Sequence, residues 1–158
     1  QPATDQGIRV VHLRFGVVIS PMGGALQKLL MPFKLGFGGK IGHGKQYMSW
    51  ISLDDAICAI HHLMQNDTVE GPINIASDKP ITNKEFTKRL GSILKRPTVV
   101  AVPAFVIKML FGQMGRETVL ASTRVDSTKL SQSGYTYRYP YIEEALSHYL
   151  GKSKDNEL

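Results

Sequence analysis

The sequence predicts an α/β fold, and three observations predict it. Gln46 to Ile51 and Pro72 to Ser77 are short β-branched or aromatic runs on either side of a helical pattern from Leu53 to Gln65, which is the strand, crossover helix, strand order of a parallel sheet. Arg9 to Ser20 (RVVHLRFGVVIS) mixes alternation with a continuous apolar end, as a central strand buried on both faces does. Two helix starts are written into the chain, Ser52 with Asp55 three positions on and Thr82 with Glu85, each followed by apolar residues at helical spacing.

In order, the first strand is closed by the turn Pro21-Met22-Gly23-Gly24 and followed by a helix over 25–35, with Pro32 expected to kink it or end it early. Gly36 to Gly44 reads as a glycine-rich loop. The helix from Leu53 to Gln65 is expected to turn Ala56, Ile57, Ile60, Leu63 and Met64 to the core, and Asp54 and Asp55 favour its N-terminal dipole. Asn66 to Gly71 forms the exit turn. The Thr82/Glu85 helix runs to about Leu94, before Arg96-Pro97. Beyond it come an extended Val99 to Val102, a helix from Pro103 through Phe111 stopped by Gly112, and helical character over 117–120. Residues 124–130 read as a linker or short turn, Tyr135 to Tyr139 as extended, and Ile142 to Leu150 as the last helix.

With 158 residues, 42% hydrophobic and 20% charged, the chain has the composition of one folded domain or a large piece of one, which excludes disorder, collagen and a disulfide scaffold. Gln1-Pro2-Ala3-Thr4 carries no initiator Met and no apolar leader, so the sequence is expected to be the distal part of a longer one. No apolar run reaches the length of a membrane span. The lone Cys58, between Ile57 and Ala59, is expected as a buried apolar side chain in a reducing, cytoplasmic setting. A net charge of +6 favours anionic partners, but the densest basic stretch (Lys84, Lys88, Arg89, Lys95, Arg96) lies around one helix without a stacking platform or a zinc or helix-turn-helix signature, so nucleic acid is disfavoured.

Gly36 to Gly42 satisfies a G-x-x-G-x-x-G spacing. A dinucleotide-binding loop needs a strand before it and a helix after it, and here that order is reversed. His61 and His62 are sequence neighbours on different helix faces and make no metal pair. His12 is expected in the core, and His43 in the glycine loop is a candidate to meet substrate. In open α/β sheets ligands gather outside the carboxyl ends of strands, which singles out the turn after Ser20. Trp50, the only tryptophan, either stacks on a ligand ring or fills the core.

The ordered strings LRFGVVISPMGGALQKLLMPFKLGFGGKIGHGKQYMSWISLDDAICAI, GPINIASDKPITNKEF, VPAFVIKMLFGQM and RVDSTKLSQSGYTYRYPYIEEAL resemble the C-terminal half of the NAD(P)-dependent epimerase-like proteins. These are atypical extended short-chain dehydrogenase/reductases, described as sugar-nucleotide epimerases, that end in a domain of unknown function. The resemblance runs from about Arg9 to Leu150. It implies the C-terminal part of a Rossmann-like fold, with the first strand and the Gly71 to Ser77 strand in the nucleotide-binding sheet and a substrate-side lobe from Gly24 to Ser49 and from Ile81 onward. It implies NAD or NADP beside Phe15, Gly16 and Val17, and a small-molecule, nucleotide-sugar substrate beside Gly23, Gly24, Gln46, Ser49 and Trp50, with Arg124 meeting an anionic group. Ser52 stands where the family often has His, Gln113 where Glu is frequent and Ser127 where Pro is usual. The cofactor glycine loop and the Tyr-x-x-x-Lys pair of typical members are absent, so no catalytic residue and no metal ligand is assigned.

The expected division is 1–100 as the C-terminal portion of the epimerase-like domain, 101–150 as the family-specific C-terminal domain and 151–158 as a tail. The expected function is the substrate-side portion of an NAD(P)-dependent epimerase or oxidoreductase, inactive without an N-terminal half. Its alternative is a non-catalytic binding module for an anionic ligand or nucleic acid. Strands without neighbours are expected to make the isolated chain self-associate.

Overall fold

The computed structural model describes residues 4–99, 102 and 122–151. Strands β1 (Val11–Phe15), β2 (Val17–Ile19), β3 (Tyr47–Met48), β4 (Trp50–Ser52), β5 (Gly71–Ile75) and β6 (Ile81–Thr82) alternate with helices α1 (Gly24–Lys34), α2 (Leu53–Gln65) and α3 (Asn83–Leu94). Two further α-helices, Thr128–Gln132 and Ile142–Tyr149, and a short 3-10 helix, Thr4–Gln6, complete the described elements. β1 pairs in parallel with β5 and β2 in parallel with β4, while β3 and β6 form a short antiparallel pair.

The expected single strand over 9–20 is two strands. Gly16 donates its N–H to Ile75 O at 3.0 Å and Val17 donates to Ser49 O at 2.8 Å, so the chain leaves β5 and joins β4 at that residue. Nor is β1 buried on both faces: His12, Arg14 and Phe15 are exposed, because among the described residues β5 is its sole strand partner. His12 is therefore not a core residue.

The helix starts follow the local chemistry. Ser52 Oγ accepts the Asp55 N–H at 2.9 Å to open α2. At α3, Thr82 Oγ1 accepts the Glu85 N–H at 3.3 Å while Glu85 Oε2 accepts the Thr82 N–H at 2.9 Å. The Thr82 hydroxyl, donating to Glu85 Oε2 at 2.6 Å, and then the Thr82 N–H hold the Glu85 carboxyl below its usual range. α1 passes through Pro32 and ends two residues later, at Lys34. The missing N–H there removes a bond only in the last turn.

The inward face of α2 is Asp55, Ala56, Ala59 and Leu63: Ala56 and Leu63 are buried as expected and Ile60 is partly buried, whereas Ile57 and Met64 turn outward. Ile57 and Met64 are 57% and 70% exposed, and Cys58 is an exposed free thiol. At about 100° per residue, positions 57, 58 and 64 fall away from the 56/59/63 stripe that faces the sheet. Residues 124–130, expected as a linker or short turn, include the start of the Thr128–Gln132 helix. The expected helices over 103–112 and 117–120 lie outside the described residues, as do Pro103 and Gln113. Of the extended 99–102 run, only Val99 and Val102 are described, and Val102 bridges Ile41.

Two apolar clusters hold these elements together. One joins Ile19, Leu26, Phe33, Trp50, Phe86 and Leu90 to Ile142, Ala145 and Leu146 of the last helix. The other packs Ala56, Ala59 and Leu63 of α2 on Ile51, Ile73 and Ile75, with Leu130 from the Thr128–Gln132 helix. Segments from both ends of the described chain thus share each cluster. No helix among the described residues is long and apolar enough to cross a membrane.

Candidate functional site

The crossover at Gly16 creates the site's floor. A Cβ there would lie 2.8 Å from Ser49 O and 3.2 Å from the Ala76 Cβ, so only glycine lets β1, β4 and the end of β5 approach this closely. Gly16→Ala is expected to destabilise the protein by about 1–3 kcal/mol through overpacking. Urea denaturation measures it, and an unchanged midpoint would show that the three strands can separate without cost.

The segment over 122–127 is laid across the floor by hydrogen bonds from distant residues. Thr123 N–H donates to Tyr47 O at 2.9 Å, and Tyr47 N–H donates to Ser122 Oγ at 3.1 Å. Ser49 Oγ, 2% exposed as a residue, donates to Thr123 O and accepts the Val125 N–H, both at 2.9 Å. Asn74 Nδ2 donates to Asp126 O at 2.7 Å. With 123 and 125 both tied inward to Ser49, the residue between them is exposed. That residue is Arg124, whose guanidinium sits 5.3 Å from the Tyr47 ring centroid in a cation–π contact.

Arg124 forms one wall of an open cleft of about 530 Å³, completed by Asp78, Pro80, Val125, Asp126, Ser127, Thr128 and Ser131. Asp78 and Pro80 follow the carboxyl end of β5, where α/β sheets collect ligands. Hydrogen bonds from Thr128, one from its N–H at 2.9 Å, hold the Asp126 carboxyl below its ordinary range. The cleft thus offers one guanidinium, two carboxylates and several hydroxyls. Burial pushes the Tyr137 hydroxyl up, and it donates to Ala76 O at 2.7 Å. Tyr135 is pushed up by burial and by Asp55, so neither tyrosine offers a tyrosinate near neutral pH.

The sequence-assigned residues fall into separate places. Phe15, Gly16 and Val17 lie together at the crossover with Ser49, and Phe15 is 47% exposed. Ser49 spends its hydroxyl on the backbone at 123 and 125, and so presents Arg124. Gly23 and Gly24 form the turn at the carboxyl end of β2, where Gly23 bridges Ser20 and Gly24 takes φ +69°. Gln46 lies beside α1 and α3. Trp50 departs from its assignment to the substrate side: it is 1% exposed, inside the first cluster, with Nε1 donating to Lys79 O at 2.9 Å. Its ring faces are covered by packing, leaving no surface on which a ligand ring could stack.

His43 is exposed, and its Nδ1 accepts the Lys45 N–H at 3.0 Å. The glycine loop's backbone is occupied internally: Gly42 N–H donates to Val102 O, Gly44 N–H to Ile41 O and Ile41 N–H to Asn83 Oδ1. That spending of donors is the physical counterpart of its reversed sequence context. Sequence reading missed Asp78, Asp126, Thr128 and Ser131 as cleft residues. The Asp-x-Thr spacing at 126–128, a local side-chain turn signature, was the available signal.

Residues 102–149 match the family model described as Domain of unknown function (DUF1731). An epimerase family protein of Mycobacterium bovis is 37% identical over 148 residues, which cover 94% of this chain and 49% of that protein. The crystal structure of human epimerase family protein SDR39U1 with NADPH superposes with a TM-score of 0.84 at 32% identity, covering 91% of this chain and 49% of the human one. A nucleoside-diphosphate sugar epimerase from Corynebacterium glutamicum superposes with a TM-score of 0.70 at 33% identity, over 95% of this chain and 28% of that one. The chain spans about half the length of the curated relatives it matches. Residues 102–149 thus carry the DUF1731 segment, and with a Rossmann-like α/β fold the chain is similar along nearly its whole length to about half of the proteins named epimerase family proteins.

Proposed function

We propose that this chain is the substrate-side part of an NAD(P)-dependent epimerase or oxidoreductase acting on a small anionic substrate of the nucleotide-sugar class. The carrying observation is Arg124, fixed by the Ser49 hydrogen bonds at the wall of a 530 Å³ cleft beside the carboxyl end of β5. The guanidinium, carried on that tethered backbone and lying over the Tyr47 ring, can pair with a phosphate oxygen. The Asp78 and Asp126 carboxylates and the hydroxyls that also line the cleft suit the hydroxyl groups of a sugar.

NADP(H) or NAD(H) would accept and return a hydride when bound. The residues present fit one edge of such a cofactor: the half-exposed Phe15 at the carboxyl end of β1 supplies an apolar surface, with Gly16 and Val17 beside it. The glycine loop is not read as the phosphate cradle, since its Gly36, Phe37, Ile41, Gly42 and Gly44 N–H groups are already bonded within the protein. The chain's own contribution is therefore to bind and orient substrate. The required N-terminal half, the division into 1–100, 101–150 and 151–158, and a cytoplasmic setting belong to the same reading.

A fusion of this chain behind the N-terminal half of the human relative tests it. Calorimetric titration is expected to detect NADPH or NADH binding, and the absence of both would remove the basis of the assignment. In that fusion, Arg124→Ala is expected to weaken binding of a nucleoside-diphosphate sugar by about tenfold or more, the range for a lost charged hydrogen bond. Cofactor affinity should stay unchanged. Equal sugar-nucleotide affinity in the variant would refute the role of Arg124.

A further inference from the structure

Three large apolar side chains stand in solvent where α1 ends. Met31 is 65% exposed, Leu35 64% and Phe37 67%, and none belongs to either core cluster. The turn after the helix holds them close together. Leu35 N–H donates to Met31 O at 3.1 Å, Gly36 takes φ +83°, and Phe37 N–H donates back to Pro32 O at 2.9 Å, the left-handed reversal that closes many helices. Phe33 points the other way: it is 3% exposed, and a Cβ added at Gly38 would lie 2.5 Å from its ring. The chain at 38 therefore runs directly over Phe33 while Phe37 stays outside.

Lysines rim this tip. Lys34 lies in the last turn of α1, and Lys40 follows Phe37 by three residues. A Cβ added at Gly44 would meet the Cβ of Lys84 at 3.2 Å and that of Lys40 at 3.4 Å, which brings the first turn of α3 to the same loop. Lys34, Lys40 and Lys84 are all exposed. No aspartate or glutamate occurs between Asp5 and Asp54, and the carboxylate of Glu85, next to Lys84, is spent on the Thr82 cap. A second copy of the chain would set lysines against lysines. A nucleic-acid backbone would meet the lysines and leave Met31 and Leu35 in water. An anionic bilayer satisfies both parts: apolar side chains enter the boundary between head groups and acyl chains while the ammonium groups stay with the lipid phosphates. We propose that the end of α1 and the loop after it form a peripheral docking surface for an anionic phospholipid bilayer, with Met31, Leu35 and Phe37 inserted and Lys34, Lys40 and Lys84 at the head groups. The Arg124 cleft is lined by other residues, so this surface goes beyond that reading and stands without it.

Co-sedimentation of this chain with lipid vesicles tests the surface. Vesicles of phosphatidylcholine mixed with phosphatidylglycerol are expected to bind the chain, with an affinity that falls as salt rises. Vesicles of phosphatidylcholine alone are expected to bind it about tenfold more weakly or less. The double variant Leu35→Ser, Phe37→Ser is expected to lose about tenfold or more in affinity for the anionic vesicles, as is Lys34→Gln, Lys40→Gln. Circular dichroism melts of the serine variant should follow those of the parent chain, and a steep fall in its midpoint would show the tip to be packed within the protein and overturn the proposal. Equal binding to both kinds of vesicle, or none at low salt, would also overturn it. Undiminished binding by the serine variant would reveal a contact made by charge alone, open to any polyanion, with the same consequence. A dimer that the serine variant abolishes would assign the tip to a second copy instead. Arg124→Ala should bind vesicles as the parent does, and a loss there would move the contact to the cleft.

Discussion

Replacing Asp55 with alanine is expected to destabilise the protein by about 2–4 kcal/mol, since each buried donor left without a partner costs ~1–3 kcal/mol. The carboxylate is 1% exposed and gathers donors from three places. Oδ1 accepts the Tyr135 hydroxyl at 2.8 Å and the Arg138 N–H at 2.7 Å. Oδ2 accepts the Ser52 hydroxyl at 2.7 Å and the Tyr139 N–H at 3.1 Å. One side chain in the first turn of α2 thereby ties the 135–139 segment, which forms no strand, to the parallel strands. Asp55→Asn is expected to lose nearly as much, because its NH₂ would face a donor. Urea denaturation followed by circular dichroism measures both variants, and a change below about 0.5 kcal/mol, ordinary for an exposed site, would refute the linking role.

Trp50→Ala is expected to cost about 3–5 kcal/mol, as for other large aromatics removed from a core. Trp50→Phe retains much of the volume but leaves Lys79 O without its indole donor, so about 1–2 kcal/mol is expected. The graded loss separates a core role from a stacking one. A Trp50→Ala protein of unchanged stability that lost ligand affinity would return Trp50 to the substrate side.

The alanine and phenylalanine variants probe a residue whose type was plain in the sequence and whose place was not. In the same way Arg124 was visible as an isolated cation, whereas its display depends on Ser49, more than seventy residues earlier. Asp55 was legible as a favourable first-turn charge. Its bonds to Tyr135, Arg138 and Tyr139 join positions about eighty residues apart, and no local spacing encodes such a meeting.

Local chemistry alone determined where α2 and α3 begin, because a hydroxyl three residues from an acidic side chain satisfies the helix's free N–H groups whatever surrounds it. It also determined the parallel order of strand, helix and strand, and the rejection of the glycine loop as a phosphate cradle. Tertiary structure decided the break at Gly16, the outward turn of Ile57 and Cys58, the burial of Trp50 and the exposure of Arg124 between two tethered neighbours. Each of these depends on which distant backbone comes within hydrogen-bonding or van der Waals reach, and periodicity reports a face without saying what will cover it.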